Sequence, residues 1–339
     1  MSFFLQNNKY DFPVDLVYLW CDGSDPDFAY RRAKALSEVN GSEFDPDAVT
    51  VERWTDHDEL KYSLRSVCKF LPWINNIYIL MNQKPPAWLK ADVPGVICVQ
   101  HRDIMQGNEK CFNSIAIESY IHKIPGLAEN FIYTNDDVFV GAPLHKSYFF
   151  TKKGQAIQYV RKSKIMRGRL NDESFHDLLN DSTWKSQYER MIVKINKILF
   201  DEFDKELCVF PGHLMDAYNR SVLEEQVEDS PLHKYVIETR KQMFRHEEDL
   251  QRAAYSWRAA LLNKLTLKYL PLSRPRLERY FPSYGQPRVC GNVSDFKLLR
   301  IGKTPLFCLN GAKGDTETYY QMCKVFLETN FPEKSSWEK

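Results

Sequence analysis

The sequence predicts an α/β fold built on a mainly parallel sheet, with a helical C-terminal part. Three observations predict it. Apolar runs of strand length, "VDLVYLW" (14–20), "NIYILM" (76–81), "GVICV" (95–99) and "FIYT" (131–134), read as buried strands. Stretches of helical periodicity separate them, and strands alternating with helices favour parallel pairing. The 339 residues are 43% hydrophobic and 14% aromatic, enough for a sizeable core.

Each element follows in order. The first strand ends in "CDGSDPDF", a turn rich in Asp, Gly and Pro, and Asp27 is the expected N-cap of a helix through "FAYRRAKAL". "DELKYSLRSVCKFL" (58–71) places Leu60, Leu64, Val67 and Leu71 at helical spacing. Strands at 76–81 and 95–99 come next. "NSIAIESYIHKI" (113–124) reads as a helix leading into the strand at 131–134. From about 145 to 208 the pattern is less regular and more charged. Residues 213–227 and 235–263 read as helices, the second with Leu250, Ala254, Trp257 and Leu261 on one face. A proline-rich stretch (271–287) reads as an extended connection, and "PLFCLNG" (305–311) as a last short strand ending in a turn. The expected organisation is an α/β core over 1–144, a variable insertion over 145–208, and a helical part with a final strand over 209–339 that completes the active site.

A formal charge of +1 lacks the basic excess of a nucleic-acid binder. No stretch has the pattern of a signal peptide or the apolar length of a membrane span, so the expected location is the cytoplasm. None of the eight cysteines forms a CxxC pair, and free thiols are expected.

The chemistry concentrates in three places. "NFIYTNDDVFVGAP" (130–143) carries Asn135, Asp136 and Asp137 at a strand end between apolar runs. Adjacent carboxylates there are costly to desolvate without a positive partner. Asp22 and Asp25 fall after the first strand, and ligands of open parallel sheets bind at such carboxyl ends. Hard oxygen donors of this kind suit Mg²⁺ or Mn²⁺ with substrate phosphates completing the shell, although an Asp-Asp pair also serves as a turn or helix cap. Second, "GHLMDAYNR" (212–220) and "FRHEEDLQ" (244–251) offer His213 as a general base, and Arg245 with His246 near a helix N-terminus suited to anions. The plainer readings are a capping histidine and a solvated charged turn. Third, Arg65 lies near the apolar stripe of its helix and wants a carboxylate or a phosphate.

These motifs resemble the Stealth family of hexose-1-phosphoryltransferases, which make phosphodiester-linked capsule and cell-surface polysaccharides. "DLVYLWCDGSD" (15–25) is similar to the first family region. "DELKYSLRSVCKFLPWINNIYIL" with "FNSIAIESYIHKIPGLAENFIYTNDDVFVG" is similar to the second. "GHLMDAYNR" with "RHEEDLQ" is similar to the third, and "PLFCLNG" to the fourth, where Gly311 stands in place of the usual Asp. The resemblance implies a glycosyltransferase-A-like core and a nucleotide-sugar donor, commonly UDP-linked. It implies that Asn135, Asp136 and Asp137 hold the divalent ion, and that Arg65 and Arg245 neutralise phosphate. Asp22 joins the catalytic set, and His213 takes the proton of the acceptor hydroxyl. Asp25, Gly23, Asn113, Ser114, His246, Asp249 and Asn310 would bind substrate.

The reaction so implied moves a sugar-1-phosphate to a hydroxyl of a glycan or lipid-linked glycan and releases a nucleoside monophosphate. The alternatives are a metal-dependent glycosyltransferase that releases the diphosphate and a non-catalytic carbohydrate-binding protein. Lys264, Lys268, Arg274, Arg276 and Arg279 form a basic stretch with two readings, a solvated loop and a peripheral contact with anionic lipid.

Overall fold

The computed structural model describes residues 10–39, 50, 54–90, 93–108, 110–184, 186–212, 214–270, 299–309 and 317–339. Four apolar runs form the centre. Strands β1 (Val14–Leu19), β2 (Ile77–Met81), β3 (Val96–Gln100) and β4 (Asn130–Asn135) pair in parallel in the spatial order β3-β2-β1-β4. The chain runs outward from β1 to β3, then returns to place β4 on the other side of β1. The strand order therefore reverses between β1 and β4, and the crevice at their carboxyl ends is the expected ligand position. In register, Leu19 lies opposite Asn135, so the loops carrying Asp22 and Asp136 leave the sheet side by side.

Alternation along the strands feeds two cores. Leu16, Tyr18 and Ile132 face helix α2 (Glu59–Phe70), while Val17 and Tyr133 face the helices of the C-terminal half. Helix α1 (Pro26–Glu38) starts one step earlier than the sequence suggested. Asp25, not Asp27, is its N-cap, with Oδ1 accepting from the Phe28 N–H at 2.7 Å. Proline favours the first helical position, so Pro26 fixes the cap at the residue before it.

The long helix expected over 113–124 is split. Helix α3 (His101–Ile104) follows β3 directly, α4 covers only Ser114–Glu118, and a 3₁₀ turn takes Ile121–Lys123. After β4, β5 (Val138–Val140) turns back; β6 (Ile157–Lys162), α5 (Asp172–Leu179) and α6 (Gln187–Phe203) follow. The charged 145–208 segment is thus regular structure, with Ile192, Val193, Ile195 and Leu199 of α6 buried.

Two expectations for the C-terminal half are corrected. Within 213–227, residues Asp216–Asn219 form strand β8, which follows β7 (Val209–Pro211) and closes the central sheet antiparallel to β4. Pairing across Tyr133–Asp216 and Ile132–Ala217 overrides the local helical pattern; only α7 (Arg220–Glu224) and the π-helical turn Glu225–Asp229 are helical there. Within 235–263 the helix breaks: α8 (His233–Lys241) and α9 (Ala253–Leu261) flank a loop. The loop is held by the Phe112 N–H on the Met243 carbonyl and by Asp249 on the His246 N–H. Strand β9 (Thr266–Tyr269) joins β6 and β7 in a small sheet, and β10 (Leu306–Cys308) pairs with β5 as expected of the last strand. Helix α10 (Glu317–Asn330) packs Leu327 on the α2 side. The proline-rich connection lies outside the described residues, as do Arg274, Arg276 and Arg279.

Among the described residues seven cysteines are free, and Cys290 lies outside them. No helix among those residues is long and apolar enough to cross a membrane.

Candidate active site

The reversal between β1 and β4 gathers carboxylates. Asp22 is held rigidly: its N–H donates to Gln83 Oε1 at 2.9 Å, and its own Oδ1 accepts from the Ser24 N–H at 2.8 Å. Gly23 is required by packing, because a Cβ there would stand 2.5 Å from the Trp54 carbonyl oxygen. That close approach brings in "WTDHDE" (54–59), of which only Asp58 and Glu59 belong to the helix expected from the sequence. Asp56 and Glu59 share a hydrogen bond, and Glu59 also accepts from the His57 N–H. Burial, then the neighbouring Glu59, raises Asp56 to about 8; burial, then Asp136, raises Glu59 to about 7.

Asp136 and Asp137 face this pair. Burial, then Asp137 and Asp56, push the Asp136 carboxyl well above the usual carboxylate range. Asp137 is anchored on one side only. Its Oδ2 accepts from Cys308 Sγ at 3.2 Å and its carbonyl from the Leu309 N–H at 3.0 Å, while Oδ1 is buried without a partner. One oxygen of Asp56, Oδ1, is buried and unpartnered too. Among the described residues no Lys or Arg forms an ion pair with Asp22, Asp56, Glu59, Asp136 or Asp137. Nor do three His, Cys, Asp or Glu side chains converge there into a ready-made metal cage. Two adjacent carboxylates with one orphaned oxygen do fit a hard divalent ion whose remaining ligands come from substrate oxygens.

The second cluster forms between the 244–251 loop and the start of α4. Arg245 and His246 sit in the loop between α8 and α9, eight and seven residues before Ala253, and not at the helix N-terminus. Arg245 donates Nε and Nη2 to Ser114 Oγ at 3.1 and 2.7 Å. Asn113 is fully buried: its Oδ1 caps α4 and its Nδ2 donates to Asp249 Oδ2 at 2.7 Å. Both functions of that amide are spent, so Asn113 shapes the site from below. Asp249 also accepts from the His246 N–H at 2.8 Å, and burial raises its carboxyl to about 7.

Two expectations for site residues resolve differently. Asp25 is the α1 cap already described. Arg65 is not at the crevice: Nε and Nη2 grip both oxygens of Glu338 at 2.8 and 2.6 Å, and Nη1 donates to the Phe331 and Pro332 carbonyls. Its fork is committed to the chain's last turn, which excludes the phosphate role. His213 and Asn310 lie outside the described residues. In the basic stretch, Lys264 pairs with Glu225 at 2.5 Å, and Lys268 lies 5.9 Å from the Tyr159 ring.

Stealth conserved region 1 matches residues 12–40, and Stealth conserved region 2 matches residues 53–158. The chain carries both of these Stealth regions. Both matched regions cover crevice residues: Asp22 lies in the first, and Asp56, Glu59, Ser114, Asp136 and Asp137 in the second. The chain is 34% identical to exopolysaccharide phosphotransferase SCO6021 of Streptomyces coelicolor, over 97% of its own length and 57% of the relative's. It is 32% identical to exopolysaccharide phosphotransferase CpsY of Mycobacterium tuberculosis, over 97% of its length and 58% of that relative. The chain therefore spans a little under three fifths of these two relatives. Among solved structures, galactosyltransferase LgtC in complex with donor and acceptor sugar analogs covers 93% of this chain and 95% of its own, at 10% identity and a TM-score of 0.39. That likeness is too low to define a fold, which the strand order defines by itself.

The structure adds residues to this site that the sequence reading missed. Asp56 lies just before the helix expected over 58–71, and Glu59 falls in its first turn. Glu118 sits buried among the apolar residues of α4, and a buried glutamate signals a partner. The partner is Arg252, 134 residues away.

Proposed function

We propose that this chain transfers a sugar-1-phosphate from a nucleotide sugar to a glycan hydroxyl, forming a phosphodiester and releasing the nucleoside monophosphate. The observation that carries the reading is the pair Asp136–Asp137 at the β1/β4 reversal, with an orphaned carboxylate oxygen and no cation of its own among the described residues. Mg²⁺ or Mn²⁺ fits there, held by Asp136 and Asp137; when bound it supplies charge neutralisation of the donor diphosphate. Asn135 shapes the strand end. The names of the curated relatives, exopolysaccharide phosphotransferases, support the class of product.

The chain's own groups have distinct tasks. Arg245, oriented by Ser114, presents guanidinium donors to phosphate oxygens. Asp22, clamped by Gln83, lines the donor crevice beside β1. His213 accepts the proton of the attacking hydroxyl, by the family resemblance. Catalysis of this kind rests on positioning and electrostatics. The donor is a UDP-hexose or UDP-N-acetylhexosamine, and the acceptor a glycan or lipid-linked glycan. Sugar nucleotides are made in the cytoplasm, and this reading puts the reaction there.

The test is the leaving nucleotide. The enzyme is incubated with UDP-, GDP- and CDP-sugars, a glycan acceptor and Mg²⁺, and both products are weighed by mass spectrometry. Monophosphate release with phosphorus in the glycan is the expected result. Diphosphate release with a phosphorus-free glycoside would replace this reading with a glycosyltransferase.

A further inference from the structure

Beneath the Asn-Asp-Asp strand end lies a second, buried polar network that carries its own cation. Tyr133 and Asn135 are two residues apart on β4, so their side chains leave the same face. The Tyr133 hydroxyl lies 2.9 Å from Glu118 Oε1 and 3.1 Å from Asn135 Oδ1, and shares its one proton between them. Both Glu118 oxygens accept from Arg252 Nη1 at 3.2 Å. Arg252 Nη2 donates to Asp216 Oδ2 at 2.9 Å, and its guanidinium carbon lies 4.8 Å from the Tyr133 ring centroid. Asp216 stands opposite Tyr133 in the β4–β8 register. One guanidinium thus braces α4, β4 and β8 together.

The network reaches the catalytic groups from two sides. Through Tyr133 it touches Asn135. Through α4 it is tied to Ser114, which holds Arg245. Helix α4 has only five residues, a rise of about 6 Å from Ser114 to Glu118. It acts as a short strut between the phosphate-facing guanidinium and the carboxylate strand end. Buried ion triads add little stability over apolar packing, and their best-attested use is to specify an arrangement.

We propose that Tyr133 and Arg252 are positioning residues: the relay Arg252–Glu118–Tyr133–Asn135 fixes the Asn135 amide and sets the spacing between the Asp136–Asp137 strand end and Arg245. The proposal rests on the transferase reading for its kinetic consequence, and on the contacts alone for its geometry.

Tyr133→Phe removes one oxygen and leaves the ring over Arg252. Arg252→Lys keeps the charge but cannot bridge Glu118 and Asp216 together. Three measurements are made on wild type and both variants: steady-state kinetics with the sugar nucleotide, Mn²⁺ affinity in the presence of UDP by electron paramagnetic resonance, and the Asn135 side-chain amide resonance in asparagine-labelled protein. Tyr133→Phe is expected to retain its melting temperature, shift the Asn135 resonance, weaken Mn²⁺·UDP binding, and lower kcat about 10- to 100-fold with donor KM little changed, the pattern of a misplaced reacting group. Arg252→Lys is expected to do the same, and it decides the matter if Tyr133→Phe fails to fold. An unmoved Asn135 resonance with wild-type kcat overturns the relay. If wild type turns over no sugar nucleotide, the transferase reading fails, and the resonance alone decides: moved supports the relay, unmoved overturns it.

Discussion

Two acidic groups in this molecule lie near the carboxyl end of β4 and have opposite fates. Glu118 and Asp216 are buried with a cation built in, Arg252, which reaches both. Asp136, Asp137, Asp56 and Glu59 are gathered at the crevice with no such partner among the described residues, and burial makes Asp136, Asp56 and Glu59 hold their protons tightly instead. Folding alone accounts for the first group, since carboxylates that leave water are paired. The second is unfinished as a folding solution. It becomes reasonable when the missing positive charge arrives with a ligand. The difference separates a scaffold, which closes its electrostatics internally, from a site, which leaves them open.

The largest expected effect breaks the closed group. Arg252→Met strands Glu118 and Asp216 without their cation, and should cost about 3–5 kcal/mol of stability. Chemical denaturation should show this as a lower midpoint with an unchanged slope. A variant as stable as wild type would mean the two groups are not different in kind.

Breaking the open group should do the reverse. Asp137→Ala should lower turnover by about 10²–10³, the usual loss when one electrostatic stabiliser is removed, and leave stability equal to wild type or higher. Initial rates in saturating Mg²⁺, beside a melting curve, measure both. A simultaneous loss of stability would assign Asp137 to the scaffold.

Asp249 sharpens the boundary, since it is buried on neutral partners, with its Oδ2 on Asn113 and the His246 N–H. Burial raises its pKa from 3.8 to about 7, so the folded state holds the proton more tightly than the unfolded chain. Its contribution is fully present below pH 3.8 and is lost as pH rises to about 7. Asp249→Asn should remove that slope, up to about 1.4 kcal/mol per pH unit. Stability measured from pH 4 to 7 tests this, and a profile parallel to wild type would refute it.

The smallest effect is expected at the surface. Lys264 and Glu225 are about 40% exposed, and Lys264→Ala should change stability by less than about 1 kcal/mol. A larger loss by the same denaturation assay would show that solvent exposure, not internal pairing, is the wrong axis of comparison.

Much of the open group was legible in the sequence, and little of the closed one. Strands β1 to β4 read directly because buried parallel strands are apolar runs, and Asp22 and Asp136–Asp137 stand at their ends. Ser114 and Arg245 were expected at the site and do meet. Strand β8 was not legible, because Asp216, Ala217, Tyr218 and Asn219 carry no alternation and take their conformation from β4. The relay was hidden for a related reason: Glu118 and Arg252 are 134 residues apart and meet only in the fold. Arg65 was legible as a buried arginine in want of a partner. Its partner, a glutamate 273 residues later, was beyond any local pattern.

That last pair bears on synthesis. Helix α2 is made early and packs on β1 with Arg65 already turned inward, yet the carboxylate that satisfies it leaves the ribosome only after Phe331 and Pro332, whose carbonyls complete the clasp. During translation, therefore, the nascent α/β half carries an unmatched guanidinium, and the turn that carries Glu338 acts as the latch. A polypeptide stalled before Glu338 should linger in a protease-sensitive, chaperone-bound form, and synthesis past Glu338 should convert it to the resistant state.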